Sequence, residues 1–559
     1  MIPVVRSRIA VNVQFLCKAR FGTVKSPTLA SLAMSEPVVT VKQGKLRGAV
    51  LKSVLGSSYV AFKGIPFAAP PVGDLRFKDP QPPAPWTGTK DTTEVLGYSC
   101  LQLDELPPYS PIGNEDCLYL NVYTNSLTQS PKAIMFWIHG GAFLVGSSSF
   151  ELFKPDYLLA KDVVVVTTNY RLGAFGFFNL GHKVAPGNQA LKDLIAALEW
   201  VKENIAKFGG DPGNVTIFGA SAGGALSHAL IASPRAKGLF HKAILQSGTL
   251  NCTWGMNQCR PERCFKLASL LGKESTDPIE VVEFLRTVSA EDIVKAQANI
   301  LTPQETASYN LAFGVNSDPV AENPVLPEPI EQVVAEGADV PVMIGSTSHE
   351  FIMFFKDKSP KAMAMHNQFL PRHVENLAML KNLDQSQSEK LLAAAKDRYF
   401  DNKPIGEENI LGLVEFITDL YFGIPAAVLI EDRVKKARAP NYLYKYSYVG
   451  NEKTATDILV DRLVSGASHV DEVAYLFYLP RCKTENPDPP ALGTKDRITM
   501  ERMTRLWTNF AKTGNPTSCQ DEFVNVTWKP VTKDELNYLD IGDELKLQPL
   551  PQHLLSSKP

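Results

Sequence analysis

Residues 214–226 read Asn214-Val-Thr-Ile-Phe-Gly219-Ala-Ser221-Ala-Gly223-Gly-Ala-Leu226, and this stretch decides the fold. The run NVTIFG is β-branched and apolar, as a buried strand is, and GALSHALIA (224–232) is apolar and helix-forming. Between them Gly219 and Gly223 flank Ser221 in a G-x-S-x-G pattern. Glycines at both ends let the backbone close around a strained strand-to-helix turn, which holds the serine hydroxyl above the end of the strand. A plain Gly/Ser-rich turn is the competing reading, and the strand before and helix after argue against it.

Working outward, continuous apolar runs recur at AIMFWI (133–138), DVVVVTTNY (162–170), HKAILQSG (241–248), VPVMIG (340–345) and NYLYKYSYV (441–449). Strands without polar alternation are buried on both faces, as in a parallel sheet covered by helices. ALKDLIAALEWVKENIAKF (190–208) carries apolar residues at helical spacing between two of them. The expected fold is therefore α/β: a mostly parallel central sheet flanked by helices, of the α/β-hydrolase type that the serine turn implies. Val38 to Phe67 reads as an antiparallel meander leading into that sheet. Residues 252–340 are helix-rich and polar, which suggests an insertion over the carboxyl ends of the strands, where such sheets bind ligands.

A serine hydroxyl needs a base to take its proton and a further group to orient that base. Among His366, His373, His469 and His553, only His469 sits in a Gly/Ser loop soon after a strand, in GASHVDEVAYLF. For the acid, Glu350 follows VPVMIG through the loop STSH, with Asp357 nearby as an alternative. His139-Gly140-Gly141-Ala142 ends the strand AIMFWI and resembles a loop of bare amides for an anionic intermediate. The N–H groups of Gly141, Ala142 and Ala222 are the expected oxyanion hole.

Composition excludes several other classes. The 559 residues hold 57 Lys+Arg against 59 Asp+Glu, a net charge of −2, so no broad basic field exists to bind nucleic acid. No run of eighteen apolar residues predicts a membrane span. Eight cysteines show no CxxC or Cys/His cluster at zinc spacing, so no metal is expected, the serine chemistry calls for no cofactor, and Cys100 and Cys117 flank a short polar loop where they could pair. Residues 1–35 read as a leader or disordered segment and residues 36–559 as one catalytic domain. The expected partner is a small ester, the expected assembly a monomer or homodimer, and the expected location cytoplasmic, with secretion or the endoplasmic reticulum left open.

FKGIPFAAPPVGDLRF, EDCLYLNVY, WIHGGAF, NYRLGAFGF, FGGDPGNVTIFGASAGG and WTNFAKTGNP together resemble the type-B carboxylesterase and cholinesterase family, from about Val38 to the C-terminal region. The resemblance implies a triad of Ser221, Glu350 and His469 and hydrolysis of carboxylic esters through an acyl-enzyme. It also implies a Cys100–Cys117 disulfide, a buried Arg76–Glu115 ion pair and a supporting serine at Ser247. Departures narrow the substrate: Ala220 stands where cholinesterases carry a glutamate, and no tryptophan lies between Cys100 and Cys117 to hold a quaternary ammonium. His349 and Phe351 replace a usual aspartate and glycine around the acid. The pattern is similar to the intracellular α-esterase branch of insects, which acts broadly on small esters. Rival readings are a hormone- or lipid-selective esterase and a non-catalytic adhesion relative, of which the second conflicts with the intact Ser, His and Glu.

Overall fold

The computed structural model describes residues 36–555 except 95–98, 129, 258, 336, 381, 382 and 437; the expected leader, residues 1–35, lies outside the described residues. Eleven strands form the main sheet: β1 (Ala49–Lys52), β2 (Ser58–Pro66), β3 (Tyr119–Thr124), β4 (Lys132–Ile138), β5 (Val164–Thr168), β6 (Gly210–Ala220), β7 (Lys242–Gln246), β8 (Val342–Thr347), β9 (Asn441–Tyr446), β10 (Asn537–Ile541) and β11 (Leu545–Pro549). Their spatial order is β11-β10-β9-β8-β7-β6-β4-β5-β3-β2-β1. The run from β10 to β5 is parallel, and antiparallel strands close both edges.

The apolar runs form central strands because each presents side chains to two cores. Along β4, Ile134, Phe136 and Ile138 enter one core with Leu191, Leu194 and Leu198 of helix α1 (Gln189–Asn204) and Leu226 and Leu230 of helix α2 (Ala222–Ala232). Met135 and Trp137 point the other way, into a core with Met503, Leu506 and Phe510 of helix α3 (Lys495–Thr513). All seven residues of β4 are buried, so the absence of polar alternation is the direct consequence of cover on both faces.

Two expectations need adjustment. The stretch from Val38 to Phe67 is not one meander: Val38–Val41 and Gly44–Arg47 pair with Thr89–Asp91 in a separate three-stranded sheet, and only β1 and β2 join the main one. Helices do fill residues 252–340, but a second helical insertion, residues 360–436 between β8 and β9, was not foreseen. Within it Glu407–Lys436 is long and apolar enough to cross a membrane by length and composition alone, yet 78% of its most apolar window is buried inside the fold. It is built as a core helix.

The order β7-β6-β4-β5 reverses direction between β4 and β6. At such a reversal the connections leave to opposite sides, and a crevice opens at the carboxyl ends of the two strands. β4 releases the chain at His139 and β6 releases it at Ser221.

Candidate active site

Ser221 begins α2 with φ 59° and ψ −126°, a conformation that costs a residue bearing a Cβ on the order of 1–3 kcal/mol. Two backbone hydrogen bonds hold it there: its N–H donates to Gln246 O at 2.8 Å, and Ala225 N–H donates to its carbonyl at 3.1 Å. The flanking glycines are steric requirements of the turn. A Cβ on Gly223 would lie 2.0 Å from Ile138 O, and one on Gly219 would lie 2.6 Å from the Gly223 carbonyl. The serine is thus presented at the N-terminus of a helix pressed against the end of β4.

The glycine loop lies directly beside it. A Cβ on Gly140 would approach the Ser221 Cβ to 3.1 Å. Gly141, Ala142 and Phe143 all turn to positive φ, at 111°, 53° and 62°. Gly141 O accepts from the N–H groups of Leu144 and Val145, both at 2.9 Å. Among the described residues, no acceptor takes the N–H of Gly141 or Ala142, and the N–H of Ala222, at the first position of α2, has no intrahelical partner. His139 buttresses this loop: its ring stacks on Tyr170 at 4.4 Å, Nδ1 donates to Gly140 O at 2.8 Å, and Tyr170 Oη donates to His139 O at 2.7 Å. Burial pulls His139 down to about 4, so it is neutral at physiological pH.

Glu350 follows the end of β8 and opens a 3-10 turn, Glu350–Phe354. It is fully buried. Its Oε1 accepts from Thr347 N–H and from Ser247 Oγ, each at 2.6 Å, and its Oε2 accepts from His469 Nδ1. Asp357, the alternative acid, is exposed and spends its oxygens on the N–H and hydroxyl of Ser359. The other candidate histidines also lie elsewhere: His366 against Phe351 and Phe355, His373 on the Tyr421 hydroxyl, and His553 on Asp419.

The His469 loop is fixed from two sides. Asp471 accepts from Ser468 N–H at 2.7 Å, Thr454 Oγ1 at 2.6 Å and Arg462 Nη2 at 2.9 Å. Against the acid loop, His349 N–H donates to Ala467 O at 2.9 Å, and a Cβ on Gly466 would lie 2.5 Å from the His349 ring. The imidazole sits between Phe354 and Phe422, at 5.2 and 5.1 Å between ring centroids. With Nδ1–H given to Glu350, Nε2 is the basic nitrogen; it is buried and has no hydrogen-bond partner among the described residues. Such an arrangement can accept a proton from a hydroxyl and hold the resulting imidazolium against a carboxylate.

The structure brings Ser221, the glycine loop and the Ser247–Glu350–His469 chain to the carboxyl ends of neighbouring strands β4, β6, β7 and β8. It does not join Ser221 to His469 by a hydrogen bond; the two are linked through Gln246, which accepts from Ser221, and Ser247, which donates to Glu350. Several supports follow the expectation. Cys100 and Cys117 form a disulfide, and Arg76 and Glu115 pair in a fork, Nε to Oε1 at 2.7 Å and Nη2 to Oε2 at 2.6 Å. Phe351 is accommodated by burial against Tyr309, with its N–H on Thr418 Oγ1 at 3.3 Å. Sequence reasoning missed Phe422 and Phe354, which flank the imidazole, and Gln246, which receives the Ser221 N–H. The helical spacing of residues 410–436 is the signal that would have exposed the element carrying Phe422. Among the described residues no group of three or more His, Cys, Asp or Glu is placed to hold a metal ion.

Fold and site together define an α/β-hydrolase. The Carboxylesterase family model matches residues 35–555. The chain is 34% identical to esterase FE4 of Myzus persicae, over 90% of this chain and 89% of that one, and 32% identical to juvenile hormone esterase of Tribolium castaneum, over 91% and 88%. A crystal structure of juvenile hormone esterase from Manduca sexta, with OTFP covalently attached, superposes with a TM-score of 0.81 and 31% identity, covering 93% of this chain and 98% of that one. The chain belongs to the carboxylesterase family and is a carboxylic-ester hydrolase.

Proposed function

We propose that Ser221 is the nucleophile of this hydrolase, His469 its general base and Glu350 the acid that orients and charge-balances the histidine. Nε2 of His469 takes the Ser221 proton as Oγ attacks the ester carbonyl. The oxyanion is received by the N–H groups of Gly141, Ala142 and Ala222, a preorganised set at a helix N-terminus. The imidazolium then protonates the departing alcohol, and a water activated by the same nitrogen releases the acid from the acyl-serine. The single observation that carries this reading is the strained Ser221 elbow set against a glycine loop whose Gly141 and Ala142 N–H groups have no acceptor among the described residues.

We further propose a broad preference for small, uncharged esters. Ala220, beside the nucleophile, is buried and apolar, so it offers no carboxylate to a cationic alcohol, and Phe354 and Phe422 line the histidine with apolar surface. The folded unit is proposed to begin near Glu36, beside the start of the family match at residue 35. The test is turnover of graded p-nitrophenyl and naphthyl esters by the wild type, Ser221→Ala and His469→Ala. Turnover lost in both variants, with melting temperatures held, is the expected result; a Ser221→Ala variant that keeps wild-type turnover overturns the assignment.

A further inference from the structure

Gln246 is the last residue of β7, and its backbone carbonyl receives the N–H of Ser221 at 2.8 Å. Its carboxamide is held at both ends by residues remote in the chain. Nε2 donates to Glu472 Oε1 at 2.9 Å, and Oε1 accepts from Trp507 Nε1 at 3.1 Å. The cage is tight: Trp507 packs edge-on against Tyr444 at 5.1 Å, and the Tyr444 ring covers Gly345, the residue paired in register with Gln246, where a Cβ would meet it at 2.2 Å. Glu472 itself is fully buried in the 3-10 turn Asp471–Tyr475, three residues beyond His469.

Glu472 therefore touches two loops that the proposed chemistry must hold in register. Its backbone belongs to the histidine loop, and its carboxyl grips the residue that receives Ser221 and precedes Ser247, the hydroxyl on Glu350. We infer that Glu472 is a positioning residue, which fixes the His469 loop against the Ser221 elbow through the carboxamide of Gln246. The inference rests on the triad proposed above and assigns a role to a carboxyl that the triad does not use.

The electrostatics agree with this division of labour. Burial, and next the neighbouring Glu350 carboxylate, push Glu472 up to about 8, whereas the Gln246 hydrogen bond pulls the other way. An uncharged Glu472 leaves the imidazolium of His469 to Glu350 alone. Its second oxygen, Oε2, has no hydrogen-bond partner among the described residues, so Gln246 is the side chain that anchors it.

The experiment compares Glu472→Leu, Glu472→Gln and Gln246→Met with the wild type, using p-nitrophenyl butyrate and counting active sites with a fluorophosphonate. Glu472→Leu removes the acceptor at similar volume, Glu472→Gln keeps it, and Gln246→Met removes the donor without touching the histidine loop. The expected result for Glu472→Leu and Gln246→Met is a fall in kcat per titrated site of about tenfold to a hundredfold, with KM within about threefold, because the misplacement acts on reacting geometry. Glu472→Gln is expected within about threefold of wild type. A variant that only loosened the fold would lower the melting temperature and the number of titratable sites while leaving kcat per site unchanged. That pattern overturns the inference, as does a Glu472→Gln variant as slow as Glu472→Leu. Should Glu472→Leu fail to fold, Gln246→Met decides, with the same two outcomes. A wild type that hydrolyses the ester but takes no label at Ser221 overturns the triad itself, which separates the two failures.

Discussion

Ser247 donates its hydroxyl proton to Glu350 Oε1 across 2.6 Å, from a backbone turned to φ 49°. A non-glycine residue adopts positive φ at a cost, so the fold spends stability to aim this hydroxyl. Ser247→Ala leaves Oε1 with the Thr347 N–H as its remaining partner. A hydrogen bond to a charged group contributes about 1.5–3 kcal/mol, so kcat should fall roughly tenfold to a hundredfold with KM little changed. Steady-state kinetics on p-nitrophenyl butyrate check it; an unchanged kcat would show that Ser247 is a bystander.

Gly141 turns at φ 111°, and a Cβ there would lie 2.1 Å from Val145 O. Gly141→Asp must shift the loop that offers its N–H groups to the oxyanion and adds a negative charge beside it. Loss of one such donor slows catalysis by about a hundred to a thousandfold. The variant should show that loss in kcat with its fold intact by circular dichroism, whereas full activity on 1-naphthyl acetate would displace the oxyanion hole from this loop.

Arg76 supports the first helical insertion rather than the chemistry. Beyond its fork with Glu115 it donates Nη1 to the carbonyls of Leu285 and Val288, at 2.6 and 2.8 Å, and so ties the first helical insertion to the loop after β2. Removing one partner of a buried pair leaves the other charge uncompensated, at a cost of about 3–5 kcal/mol. Arg76→Ala should lower the melting temperature sharply and leave kcat per titrated site near wild type. A melting temperature equal to wild type contradicts the prediction.

Acid stability carries a signature of the buried histidines. Burial, with His366 and Arg372 nearby, lowers His373 to about 4, and burial lowers His139 to about 4 and His228 to about 3. Between these values and the unfolded value of 6.5, the unfolded chain binds more protons than the folded one. Stability therefore rises with pH across that window and drains away as pH falls from about 6.5 towards 4. His373→Gln removes one such proton, so its unfolding free energy should depend on pH less steeply between pH 4.5 and 6, by roughly 1 kcal/mol per pH unit. Urea titrations at stepped pH measure this slope; parallel slopes would contradict it.

How much was legible in the sequence follows from how local each signal is. The β4 to β9 strands announced themselves because burial on both faces leaves largely apolar runs without regular polar alternation, and Gly219 and Gly223 because the Ser221 turn tolerates no Cβ. His469 and Glu350 could be placed by chain order and by the strand before each. Glu472 and Gln246 could not, since 226 residues separate them and only the folded sheet brings them together. Phe422 was hidden for another reason: it lies in a π-helical turn, Asp419–Gly423, inside an insertion whose apolar character reads as ordinary core. β10 and β11 were missed because they lie at the end of the sheet, with only β11 at its edge, and are partly exposed with no continuous apolar run.

The central claim is that Ser221 is the atom-bearing residue of the reaction, and stoichiometric labelling tests it most directly. The purified protein would be incubated with a fluorophosphonate, its residual esterase activity followed, and the adduct located by peptide mass spectrometry. We predict one adduct per chain, on Ser221, with activity lost in proportion to labelling, and no adduct on Ser221→Ala. Complete inactivation with the adduct on another residue, or full esterase activity in a protein fully labelled at Ser221, would contradict the account.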